Sequence, residues 1–169
     1  MLRSPRSSPA SESFLRADSP SPLGTTTHRA LTVQRMGELV FVGLGLGPGG
    51  ISQAGIAELR QCDKVFVEAY TAPVEKGTLL EMATLIGKNI EQLGRKDVED
   101  GKLILMEASR GRCCLLVPGD PMVATTHVDL RLRAVDMRIR TKIIHSASIG
   151  TAAAGSLGLQ SYKFGRTTT

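Results

Sequence analysis

The chain has 169 residues, 41% of them apolar, with three cysteines and a formal net charge of +5. That length supports one domain with a buried core, and no apolar run reaches the length of a membrane span. Residues 1–35 hold Arg3, Arg6, Arg16, Arg29 and Arg35 against Glu12 and Asp18. The remaining body therefore carries an ordinary charge of about +2, and with no Trp and few aromatics it has no stacking platform for nucleic-acid bases.

In chain order, residues 1–35 come first. Fifteen of them are Ser, Thr or Pro, and no periodic apolar pattern appears, which predicts a disordered tail. Pro5, Pro9, Pro20 and Pro22 break the amphipathic helix that a transit peptide would need. Met36 stands directly before the patterned body and offers an alternative start.

From Leu39 to Gly50 the sequence reads LVFVGLGLGPGG, a buried strand running into a glycine loop. A helix follows over Ile51–Gln61 with Ser52 as N-cap, then a strand over Lys64–Glu68. A helix over Leu79–Ile86 and a short strand over Asn89–Leu93 come next. Lys96–Ser109 reads as a helix weakened by Gly101, and Cys113–Val117 as a strand halted by Pro118 and Gly119. The spacing then predicts a helix over Thr126–Met137, with Val128, Leu132 and Val135 inward and Arg131, Arg133 and Arg138 outward. Lys142–Ile144 completes the strands, and Ile149–Gly155 is a helix of small residues. Such alternation predicts an α/β fold, a mostly parallel sheet with helices on both faces.

Cys62, Cys113 and Cys114 show neither zinc-ligand spacing nor a CxxC pair. Cys113 and Cys114, in the run CCLLV, read as small buried hydrophobes, and no metal site is expected. A reducing, cytoplasmic compartment fits.

Three loops follow three strands and open on one edge of the predicted sheet: Gly43–Gly50, Pro118–His127 and His145–Ile149. Gly45, Gly47 and Gly50 fit GxGxxG, and Glu68 stands at the distance of a ribose-binding acid, so a dinucleotide-binding unit stays open. Pro48 removes one amide from that loop, and no Lys follows the glycines as in a P-loop. Asp120, between Gly119 and Pro121, reads either as an acid bonded to its own turn or as an acceptor for ligand hydroxyls or positive charge; turn chemistry alone favours the first. His127 and His145 have no partner visible in sequence. Thr125, Thr126 and Ser148 read as helix N-caps. No Ser, His and acid arrangement can be placed, so hydrolase chemistry has no support.

At these loops the chain resembles a known family. LVFVGLGLGPGGISQAGIAELRQCDKVFVEAYTAP, LLVPGDPMVATTHVDLRLRA and IIHSASIGTAAAGSLGLQSYKFG are similar, in order and spacing, to the diphthine synthase family. These are diphthamide-biosynthesis methyltransferases of the tetrapyrrole-methylase-like class. The resemblance runs from Met36 to about Gly165. It implies S-adenosylmethionine as cofactor, with contacts from Leu46, from Asp120 and Val123, and from Ser148 and Ile149. It thereby reverses the reading of Asp120 as a turn residue alone. The implied acceptor is the amino group of a 3-amino-3-carboxypropyl-modified histidine on translation elongation factor 2. Inline transfer from a sulfonium to an amine needs alignment more than an acid–base pair, so no catalytic residue is named. The family has two α/β domains, and the resemblance implies a chain of residues 36–169 truncated before the second, with activity in doubt. The alternative is a non-catalytic or dinucleotide-binding α/β module. A homodimer stays open as the assembly.

Overall fold

The structure, a computed structural model, describes residues 37–165. The tail expected to be disordered, residues 1–35, lies outside the described residues. Five strands form one parallel sheet: β1 (Glu38–Gly43), β2 (Lys64–Glu68), β3 (Ile90–Leu93), β4 (Arg112–Val117) and β5 (Arg140–Ile144), in the order β3-β2-β4-β1-β5. The continuous apolar runs of β1 and β4 occupy the inner positions, as strands covered on both faces must. β5, with alternating exposure, lies at an edge.

Helices cover both faces, as expected. α1 (Gln53–Gln61) and α2 (Lys76–Ile86) bury Leu59, Met82 and Ile86 against Val40, Val42, Val65 and Val67. On the opposite face lie α3 (Arg95–Asp100), α4 (Lys102–Arg110) and α5 (His127–Asp136), packed on Leu39, Phe41, Phe66 and Leu115. α6 (Ile149–Ser156) and a 3-10 turn (Ser161–Lys163) end the described chain. Cys62, Cys113 and Cys114 are buried, and burial pushes the Cys113 thiol far above its ordinary range.

Three expectations are corrected. The helix expected over Lys96–Ser109 is two helices, α3 and α4, broken where Gly101 takes φ +66. A Cβ there would stand 2.6 Å from Leu130 Cδ1, so α5 approaches at the break. α5 also turns a different face inward. His127, Leu130 and Ala134 are buried, whereas Val128, Leu132 and Val135 are exposed. Arg133 is not simply outward either; its guanidinium donates to the carbonyls of Glu99 and Asp100 at the end of α3.

The strand order also decides against the dinucleotide reading. That unit needs β2 beside β1, so that an acid ending β2 can reach the ribose. Here β4 stands between them, which puts Glu68 two strands, about 10 Å, from the glycine loop. Glu68 is fully buried, moreover, and offers no exposed carboxylate to a ribose.

Candidate functional site

The chain leaves β1 for β2 in one direction and β4 for β5 in the other, so neighbouring β1 and β4 form a topological switch point. Crevices open at such points, beyond the carboxyl ends of the strands. The three predicted loops meet there and are joined by hydrogen bonds. Gly45 and Gly119 exchange backbone bonds of 3.1 and 2.9 Å. The Ser146 hydroxyl donates to Gly50 O at 3.2 Å. At Gly43 the loops close so tightly that a Cβ would stand 2.6 Å from Gly119 O and 2.7 Å from Ser146 Cβ. Ala124 sits in the second loop at φ +56, a conformation costly for a residue with a Cβ and concentrated at functional sites.

Asp120 is the clasp of this arrangement. Its Oδ1 accepts the Met122 amide at 2.9 Å; its Oδ2 accepts the Ser146 amide at 3.1 Å and pairs with His145 Nδ1 at 2.8 Å. Burial alone would raise this carboxyl, but the Met122 amide, His145 and the Ser146 amide outweigh it and hold it below the usual carboxylate range. The turn reading of Asp120 therefore holds in full for Oδ1, while Oδ2 fastens the second loop to the third. His145, without a visible partner in sequence, has Asp120. His127 is 1% exposed, stacks near Phe41 and donates from Nδ1 to Pro121 O at 3.1 Å. Its role is to hold the second loop. The same carbonyl accepts the Thr125 hydroxyl at 2.8 Å, so Thr125 is not an N-cap. Thr126 occupies the N-cap position of α5 without a capping bond. Ser52 and Ser148 do cap, accepting the amides of Gly55 and Gly150.

These loops enclose a cavity of about 820 Å³, the size of a nucleoside-bearing small-molecule site. Leu46, Asp120, Val123, Ser148 and Ile149, from three separate loops, all line it. Leu46, Val123 and Ile149 are 49%, 45% and 69% exposed, leaving apolar side chains at its wall for a ligand to cover. Asp120 and Glu75 contribute carboxylates, and among the described residues the lining contains neither Lys nor Arg. Such a wall suits a neutral or cationic ligand with a ribose and repels a polyphosphate.

A fourth wall is not legible in the sequence. Thr71, Ala72, Pro73 and Val74 after β2, with Thr78 and Met82 of α2, complete the cavity. In sequence the TAP run reads only as the stop of a strand. Its position at the same carboxyl edge as the other three loops is the signal that could have found it.

A family model described as Tetrapyrrole (Corrin/Porphyrin) Methylases matches residues 38–169. A curated diphthine synthase of Methanocella arvoryzae is 46% identical over 134 residues, covering 78% of this chain and 52% of that protein. That of Methanosphaerula palustris is 48% identical over 130 residues, covering 76% and 52%. A solved crystal structure of diphthine synthase superimposes with a TM-score of 0.70 at 43% identity, over 76% of this chain and 51% of that one. The chain spans about half the length of the curated relatives it matches. No helix among the described residues is long and apolar enough to cross a membrane.

Proposed function

The chain belongs to the tetrapyrrole (corrin/porphyrin) methylase family, and from that membership we propose an S-adenosylmethionine-dependent methyltransferase of the diphthine synthase kind. In this reading residues 36–169 are its N-terminal, cofactor-binding α/β domain. The protein substrate is translation elongation factor 2, methylated on the amino group of its modified histidine in the diphthamide pathway. A translation factor as substrate makes the setting cytoplasmic.

One observation carries the reading. The five residues assigned to the cofactor from the family motifs, Leu46, Asp120, Val123, Ser148 and Ile149, come from three loops and line one cavity that has no basic side chain among the described residues. That donor set fits S-adenosylmethionine, a cation at its sulfur with an adenosine to bury. When bound, it supplies an electrophilic methyl group on a sulfonium. The chain's own part is to hold and orient. Leu46, Val123 and Ile149 offer apolar surface to the adenosyl group, and Asp120 keeps the second and third loops in register. Ser148, capping α6, fixes the backbone of the third loop. Positioning of this sort is what transfer to an amine requires.

The homodimer belongs to the same proposal. Exposed Val128, Leu132 and Val135 on α5 give it an apolar face to bury, and sedimentation of the chain reads the assembly directly.

Calorimetric titration of the full chain with S-adenosylhomocysteine, with NAD as control, tests the cofactor. Binding of the first alone is expected; binding of NAD alone sinks the reading. Incubation with elongation factor 2 carrying the unmethylated, modified histidine, read by mass spectrometry as added methyl groups, tests the substrate.

A further inference from the structure

The side chain that the fold leaves most conspicuously unsatisfied is Glu68. It closes β2, is 0% exposed, and its Oε2 has no hydrogen-bond partner among the described residues. A buried carboxylate is costly unless something compensates it. Its other oxygen accepts the Thr71 hydroxyl, and that bond fixes the character of Thr71. A hydroxyl owns one proton; with it committed to Glu68, the Thr71 oxygen has only lone pairs to offer. Thr71 is exposed and lines the cavity. The wall therefore presents, at this one point, an acceptor-only oxygen backed by a buried carboxylate. His127 Nε2, the other buried atom without a partner on the α5 side, belongs to a residue that does not line the cavity. The opening toward a ligand is through Thr71.

We propose that Thr71, held by Glu68, is the seat of the cationic centre in the cavity, receiving an alkylammonium or methylsulfonium group through its polarised hydrogens. This rests on the S-adenosyl reading above and adds the point at which positive charge is received. An ammonium donates a charge-assisted N–H···O bond; a sulfonium methyl offers the weaker C–H···O contact. Asp120 and Glu75 are the competing carboxylates, since both line the same cavity; Asp120 already has both oxygens engaged, by the Met122 and Ser146 amides and His145, which leaves Glu75. Glu75 is exposed, where solvent and salt screen it, whereas Glu68 acts from the interior, where charge carries further.

Three ligands that share the adenosyl and amino-acid parts separate the sources. S-adenosylhomocysteine has a neutral thioether, S-adenosylmethionine a sulfonium, and sinefungin an ammonium-bearing carbon in place of the methylsulfonium. In calorimetric titrations of the full chain, sinefungin is expected to bind about tenfold tighter than S-adenosylhomocysteine, the scale of one charge-assisted hydrogen bond. A matching preference for S-adenosylmethionine assigns the seat to either cation, and its absence assigns it to ammonium alone. Thr71→Val is expected to erase the preference, bringing the affinities for the three ligands together, Thr71→Ser to keep it, and Glu68→Gln to weaken it. Thr71→Val also removes the hydroxyl that Glu68 accepts, so Thr71→Val combined with Glu68→Leu, which leaves no buried carboxylate unpaired, carries the test where either single variant fails to fold. Preference retained in Thr71→Val, or lost in Glu75→Gln instead, overturns the seat and leaves the S-adenosyl reading standing. A folded chain that binds none of the three ligands removes both.

Discussion

Gly45 and Gly119 bond to each other in both directions, forming an isolated antiparallel bridge above an otherwise parallel ladder. The bridge joins the loops leaving β1 and β4, and both glycines take left-handed backbone, φ +72 and +71. At Gly45 a Cβ would also stand 2.6 Å from Gly50 O. Gly45→Ala should therefore cost about 1–3 kcal/mol in urea unfolding and weaken S-adenosylhomocysteine binding beyond detection. Gly49→Ala is the comparison, because φ is +76 there with nothing within 4 Å of the added carbon. Its cost should stay near 1 kcal/mol, the backbone contribution alone. Equal effects at the two positions would mean that close approach plays no part.

The Asp120 clasp makes the site acid-sensitive in a definite direction. Its carboxyl is held below its ordinary value of 3.8 in the folded chain. A depressed folded value gives stability that is present above the unfolded value and lost as pH falls through the folded one. Asp120→Asn should lower stability by about 1–2 kcal/mol at pH 7, with the gap to the parent chain closing below pH 3.8. Thermal melts from neutral pH to pH 2.5 read this. A constant gap across that range would show that shape, rather than charge, is what Asn fails to supply.

How much of this was legible in the sequence follows from what each element depends on. β1 and β4 are read correctly because strands buried on both faces must be apolar throughout, and LVFV and CCLLV have no other plausible place. The three-loop crevice follows from strand ends in a parallel sheet, but the five residues assigned within it came from the family resemblance, since turn chemistry alone left Asp120 as a turn residue. Strand order could not: nothing in the GxGxxG spacing tells that β4 lies between β1 and β2, and the ribose role for Glu68 failed for that reason. Asp120 and His145 are 25 residues apart, beyond any local pattern, so their pairing needs the fold. The turn after β2 was read for its stop signal and missed as a wall.

At the far end of the sheet Arg112 gathers two acids. Its Nε stands 2.6 Å from Glu38 Oε2, its guanidinium also meets Glu58, and all three side chains are less than one-fifth exposed. Lys142 reaches Glu58 at 2.8 Å, but Glu38 otherwise has only Arg140, at 4.0 Å. Removing the shared cation leaves the buried Glu58 with Lys142 and Glu38 with the more distant Arg140, so Arg112→Ala should destabilise by about 1–3 kcal/mol. The cavity is at the opposite edge of the sheet, and ligand affinity of the folded variant should match the parent chain. Denaturant unfolding paired with calorimetry separates the two effects, and a loss of affinity would reveal coupling along the strands.

The inward face of α5 supplies the most direct test of the fold. Apolar spacing favours Val128, Leu132 and Val135, yet the helix buries His127, Leu130 and Ala134. The first turn decides it: His127 donates to Pro121 O, which fixes the rotation of everything that follows at 100° per residue. Leu130 then points at Gly101, where the break between α3 and α4 leaves room only for hydrogen. Leu130 is 2% exposed and Leu132 is 59% exposed. Leu130→Ala should therefore cost about 2–4 kcal/mol by opening a cavity, and Leu132→Ala less than about 0.5 kcal/mol in the monomer. A larger cost at Leu132 that grows with protein concentration would instead register the α5 stripe as an interface between copies, since only assembly makes stability depend on concentration.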